Sequence, residues 1–134
     1  MRRIFALFLF LLLLAGCGKV DEKPATKISI MAPYMTTKAP ITKKPVLRRL
    51  ERLTNTDLHF NWVANSAYTD QLNLTLSSGK IPDILVFKDK DSTFVKYAKN
   101  HTFWNLTKYL KDYPHLAKAN KRILQNSSIN GQVY

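Results

Sequence analysis

The chain has 134 residues, 46% hydrophobic and 22% charged, a balance that belongs to a folded protein and excludes an intrinsically disordered one. Lys and Arg total 21 against 9 Asp and Glu, for a formal net charge of +12. The basic residues stand in ones and twos (Lys43-Lys44, Arg48-Arg49, Lys121-Arg122), so no nucleic acid is expected, and anionic lipid headgroups or cell-wall polymers suit the charge better.

Arg2 and Arg3 open the chain, and Ile4 to Leu14 follow as 11 uninterrupted apolar residues. As a helix that run rises about 16 Å, roughly half the hydrocarbon core of a bilayer, which excludes a permanent span. Ala15 and Gly16 are small, and next comes Cys17, the one cysteine in the sequence. A plain secretory signal is the bland reading, but it leaves a reactive unpaired thiol on an exported protein. Leu14-Ala15-Gly16-Cys17 resembles the bacterial lipobox, in which the thiol receives a diacylglycerol and the chain is cut before the cysteine. Residues 1–16 are then a lipoprotein signal peptide and residues 17–26 a polar, proline-containing tether. The remaining 27–134 are long enough for one small domain with a core.

Ile28 to Ala32 is β-branched and apolar and stops at Pro33, which predicts a strand of about five residues. Pro45 to Leu53 predicts a helix that packs through Val46, Leu47, Leu50 and Leu53, with Asn55 as its left-handed stop. Leu58, Phe60 and Trp62 alternate with His59, Asn61 and Val63, the period of a half-buried strand. Residues 66–78 fit two periods: Tyr68, Leu72 and Leu76 share a helical face, while Leu72, Leu74 and Leu76 fit a strand. Ser66 as a cap and Gly79 as a stop favour the helix.

Asp83 to Phe87 reads as a strand buried on both faces. Strands alternating with helices predict a parallel sheet covered on both sides, an α/β fold. Farther on, Ser92 is placed as the cap of a helix through Asn100, Thr107 as the cap of a turn, and Pro114 as the start of a helix to about Gln125. Asn130-Gly131 carries the signal of a type I′ hairpin.

Catalytic signatures are missing. His59, His101 and His115 do not stand at metal-ligand spacing, and there is no phosphate loop, no Gly-x-Ser-x-Gly and no second cysteine. Lys88, Asp89, Lys90 and Asp91 form a charged cluster whose default reading is a solvated loop. His59 beside Trp62 reads as a surface or satisfied histidine. No enzyme, metal or cofactor is expected.

Three ordered segments carry a family resemblance. Leu76-Ser77-Ser78-Gly79-Lys80-Ile81-Pro82-Asp83-Ile84-Leu85 resembles the "ASGD-x-PDI" segment of extracellular solute-binding proteins of the maltose-binding class (family 1). Phe103 to Leu110, with Leu106-Thr107 inside it, resembles their "L-T" element, and Tyr113-Pro114 followed by Asn130-Gly131-Gln132-Val133-Tyr134 is similar to their "N/D-G-K-x-Y" hairpin. Lys80 and Ile81 depart from the usual pattern at positions that need not touch ligand.

The resemblance implies a type II periplasmic-binding-protein-like lobe and a lipoprotein on the outer face of a Gram-positive cytoplasmic membrane. That lipoprotein would bind a small solute, a sugar above all, and deliver it to an ABC permease. Such proteins have two lobes and chains three to four times longer, so the sequence is expected to be the amino-terminal part of one. The resemblance places the ligand wall at the carboxyl ends of the strands: Ala32, Pro33, Tyr34 and Met35 after the first, Phe87, Lys88 and Asp89 after the third. Phe87 is expected to stack on a sugar ring, or else to be core, and Asp89 to accept hydroxyl hydrogen bonds, or else to be solvated. Trp62 and Trp104 are read as packing residues. The alternatives are a small self-contained surface lipoprotein that holds anionic cell-wall polymer or a protein partner, and a remnant enzyme lobe.

Cys17→Ala is expected to release the protein from the membrane fraction or leave its signal uncut. Metabolic labelling with palmitate checks this, and an unchanged, labelled product would sink the anchor.

Overall fold

A computed structural model describes residues 23–40 and 44–134. The expected signal peptide and lipid-bearing Cys17 lie outside the described residues. The elements run β1 (Thr26–Tyr34), α1 (Pro45–Thr54), β2 (Thr56–Ala64), α2 (Tyr68–Ser78), β3 (Ile84–Leu85), α3 (Ser92–Lys99), α4 (Thr107–Leu110), α5 (Pro114–Ala117) and α6 (Lys121–Ser127).

Among the described residues the sheet is parallel, in the order β2-β1-β3. Right-handed crossovers that first step one way from β1 and then back past it put α1 and α2 on opposite faces. The α2 face holds the main core. Met31 is buried with Tyr68, Leu72 and Leu76, and Val63, Leu85, Phe87 and Phe103 pack against them. Leu74 points outward at 62% exposure, which resolves the ambiguous segment as a helix.

Strand β1 has nine residues against the predicted five, two more at each end, and runs straight through Pro33. The Ser29 N–H and the Met31 carbonyl face the β3 side, so Pro33, two residues on, faces the same side beyond the last β3 pair at Met31–Leu85. Its missing N–H therefore costs no ladder bond, and β2 stays paired with β1 through Tyr34–Ala64.

Strand β3 is shorter than Asp83–Phe87 and is not buried on both faces, since Ile84 is 47% exposed. In place of a longer ladder, the Asp83 carboxylate accepts the Ser29 N–H at 2.8 Å and the Ser29 hydroxyl at 2.6 Å, while Asp83 N donates back to Ser29 Oγ at 3.0 Å. The β2 edge is guarded in the same way: the half-buried Glu51 of α1 accepts the Leu58 N–H at 3.0 Å.

Helix stops follow the sequence and several starts do not. Asn55 (φ 49°) ends α1 and Gly79 (φ 70°) ends α2, both left-handed. Asp91 rather than Ser92 caps α3, through Phe94 N, because its side chain stands one residue ahead of the first turn. Ala67, not Ser66, occupies the α2 N-cap, and there no side chain caps the helix. Asn105 takes the Thr107 N–H, and Thr107 Oγ1 instead accepts the Val133 N–H at 2.9 Å. The helix expected from Pro114 to Gln125 is broken into α5 and α6, because Asn120 caps a new start through Arg122 N. Asn130 (φ 52°) and Gly131 (φ 75°) turn the chain as the Asn-Gly pair predicts, although only the Ile129–Gln132 bridge follows.

The two Ser29 hydrogen bonds hold the Asp83 carboxyl below its ordinary pKa of 3.8. A carboxyl depressed on folding stabilises fully above the unfolded value and loses that contribution as pH falls through the folded one. Asp83→Asn is therefore expected to melt below the parent at pH 7, with the gap closing as pH drops below 3.8. Thermal melts across that range check it, and a pH-independent gap would remove the charge from the account.

Candidate functional site

Strand β1 and the carboxyl end of β3 meet at one side chain. Tyr68, the first residue of α2, is fully buried, and its hydroxyl donates to both the Met31 and the Val86 carbonyls. Burial raises its pKa above the ordinary 10.0, so the phenol remains a donor at neutral pH. Val86 N in turn donates to Met31 O at 3.1 Å, the last bond between the two chain segments. This fixes the direction in which Phe87, Lys88 and Asp89 leave the sheet.

Those three residues line an open hollow of about 550 Å³, together with Ile123, Asn126 and Tyr134. The structure thus brings Phe87, Lys88 and Asp89 together and leaves Tyr34 outside the hollow. Tyr34 is tied to β2 instead, its carbonyl accepting from Asn65 N at 3.0 Å. Ala32 is buried, Pro33 is half-buried, and Met35 stands out in solvent.

Phe87 also carries structure. Its ring lies 4.9 Å from Phe94 and edge-on to Phe103 at 5.4 Å, so one face is committed to an aromatic cluster. A second hollow of about 660 Å³ opens along β3, lined by Phe87, Phe94, Phe103, Trp104, Leu106 and Tyr134 among others.

The charged cluster divides by role. Lys90 Nζ donates to Ser128 O at 3.2 Å and Asp91 caps α3, so both hold the loop in place. Lys88 lies with its ammonium 6.0 Å from the Tyr68 ring centre, and Asp89 is exposed. An ammonium and a carboxylate beside an aromatic wall can pair with a ligand carboxylate and accept hydroxyl hydrogen bonds.

Trp62 packs as expected, stacked on Phe60 at 4.9 Å and 3°. Trp104 does not: it is 77% exposed at the mouth of the larger hollow, 6.5 Å from the Tyr109 ring, because residues 103–106 belong to no helix or strand. His59 is a satisfied surface histidine, its Nε2 3.0 Å from Asp57 Oδ2. Asn126 carried no signal in the sequence. Tyr134 did, as the aromatic of the Asn-Gly hairpin motif. Among the described residues no group of three His, Cys, Asp or Glu is placed to hold a metal ion.

No protein-family model matches the chain. Lipoprotein LipO of Bacillus subtilis is 38% identical over 99% of this chain and 28% of its own length. The polygalacturonan/rhamnogalacturonan-binding protein YtcQ of the same organism is 35% identical over 90% of this chain and 26% of its own. The chain thus spans about a quarter of the length of the relatives it matches. An HMO-binding, ABC-transporter-associated solute-binding protein from Bifidobacterium longum infantis superposes with a TM-score of 0.59 at 21% identity, over 77% of this chain and 21% of that one. These similarities bear out the resemblance to solute-binding lipoproteins read from the sequence motifs. The fold is that of a type II solute-binding protein, a parallel α/β sheet with flanking helices.

Tyr68→Phe is expected to cost about 1–2 kcal/mol, because two carbonyls lose a buried donor while the ring volume stays. Urea unfolding checks it, and an unchanged midpoint would show that the hydroxyl does not hold the strand ends.

Proposed function

We propose that the chain is part of a lipid-anchored receptor that binds an oligosaccharide and passes it to an ABC importer, with no catalysis of its own. Cys17 is the anchor, holding the protein on the outer face of the cytoplasmic membrane, and residues 17–26 are the tether. Residues 27–134 form part of the ligand-binding lobe. The observation that carries the reading is the hollow at the carboxyl end of β3, where Phe87, Lys88 and Asp89 stand together. It lies where parallel α/β sheets take their ligands.

An acidic sugar is favoured over a neutral one. Lys88 stands at the hollow, the chain keeps a net charge of +10 once Arg2 and Arg3 leave the +12 of the full sequence, and one relative is named as binding polygalacturonan and rhamnogalacturonan. Phe87 and Asp89 supply an apolar edge and a hydroxyl acceptor. One wall buries only part of a sugar. The length that the relatives have beyond this chain is assigned the facing wall, so the mature 118-residue chain binds in the range of about 1 mM.

Two-dimensional NMR of the mature chain titrated with trigalacturonic acid and with maltotriose tests this. Shifts are expected at Phe87, Lys88, Asp89 and Asn126, stronger for the acidic sugar, and Lys88→Ala is expected to weaken that sugar about fivefold or more, in line with the loss of one charged hydrogen bond. Shifts that map away from the hollow, or micromolar binding by this chain alone, would overturn the single-wall reading.

A further inference from the structure

Helix α1 is turned about 100° from the orientation that its apolar residues predict. Leu47, Glu51 and Thr54, at i, i+4 and i+7, form the side toward β2: Leu47 and Glu51 are half-buried, Glu51 holds the Leu58 N–H, and Thr54 Oγ1 lies 2.7 Å from Thr56 Oγ1. Val46, Leu50 and Leu53, each one residue earlier, are left 81, 46 and 74% exposed. Arg49 follows Val46 by three residues and precedes Leu53 by four, so it shares that outward flank. Lys44 and Arg52 are exposed as well. An apolar stripe bordered by cations on an exposed flank is the pattern of a helix that lies in a lipid–water interface.

The route of the chain puts that flank close to a membrane. Thr26 N donates to Asn55 O at 2.9 Å, and Asn55 Nδ2 donates to Lys23 O at 2.9 Å. Asn55 is the C-cap of α1, so the segment that leads back to Cys17 departs from the carboxyl end of this helix. Lys23 lies six Cα steps from Cys17, a stretch that reaches at most about 20 Å when extended.

We propose that α1 is a membrane-docking helix that seats Val46, Leu50 and Leu53 among anionic headgroups, with Arg49 and Arg52 paired to lipid phosphate. The nearness of the bilayer rests on the lipid-anchor reading of Cys17; the affinity of the helix for the surface does not. Seated this way, the helix fixes the orientation of the lobe on the membrane, and the tether alone sets only its distance.

The test uses lipidated protein, in which the Cys17 thiol is blocked, with an environment-sensitive fluorophore on Leu53→Cys. In vesicles of phosphatidylglycerol and phosphatidylcholine the probe is expected to shift to the blue and become accessible to quenchers in the acyl region; in phosphatidylcholine alone it stays in water. Arg49→Glu with Arg52→Glu is expected to weaken partitioning of the helix about tenfold or more while the protein remains in the membrane fraction. A membrane-bound protein whose probe stays in water in both lipids overturns the helix proposal and leaves the anchor standing. A chain absent from the membrane fraction overturns the anchor. The mature chain with Cys17→Ser and the same probe, added to the same vesicles, then decides the helix: a blue shift supports it and no shift overturns it. A shift without vesicles that grows with protein concentration identifies a second copy as the occupant and also overturns the proposal.

Discussion

The hydroxyl of Tyr68 is the contact on which the carboxyl side of this fold depends. It belongs to the first turn of α2 and reaches the carbonyls of Met31 on β1 and Val86 just past β3. One donor therefore ties a helix to β1 and to the end of β3 at the point where those two strands stop pairing. The ring below it fills the core with Met31, Leu72 and Leu76. Because phenols are neutral at physiological pH and burial raises this one further, the tie has no charge to lose there. The loop from Phe87 to Asp89 gets its starting direction from this junction.

The sheet has little ladder beyond β1 and β2, and side chains replace the rest. Glu51 covers an outward N–H of β2, and Asp83 covers an N–H of β1 that β3 is too short to reach. Both are carboxylates that accept from backbone amides, an arrangement that caps an edge without offering a further strand its template. Packing is concentrated on the α2 face. On the other face Ile28, Ile30, Phe60 and Trp62 are only half-buried, and α1 touches the sheet edge rather than covering it. The molecule thus divides into a packed face, an edge where the loop from Phe87 to Asp89 leaves the sheet, and a flank on which Val46, Leu50 and Leu53 stand exposed beside Arg49.

Much of this was legible in the residues, for physical reasons. Tyr68, Leu72 and Leu76 repeat at helical spacing and all three are buried, and the Asn55, Gly79 and Asn130-Gly131 signals mark positions that need positive φ. What escaped was decided by partners far away in sequence. Pro33 sits inside β1 because the opposing strand has already ended there. Val46, Leu50 and Leu53 promised a buried face, but Glu51 wins the inward position by satisfying a strand amide that only the fold supplies. Trp104 looked like packing because size and apolarity carry no information on which side of a loop becomes wet. At the candidate site, Phe87 and Asp89 were expected from the rule that ligands gather past the strand ends, and they do line one hollow; Asn126, which lines it too, had no such rule to reveal it.

Strand β3 is fastened at two points, the Asp83–Ser29 clasp at its start and the Tyr68 junction at its end, with two paired residues between them. A segment held in this way opens as a unit, because losing either fastening leaves too few bonds to keep the other closed. Its amides are then the first in the sheet to exchange with deuterated solvent, while β1 and β2, paired over nine positions, remain protected. The loop that bears Phe87, Lys88 and Asp89 hangs from this least protected strand. Any molecule that settles on that loop closes the opening equilibrium, and occupancy is written into the exchange rates of residues it never touches.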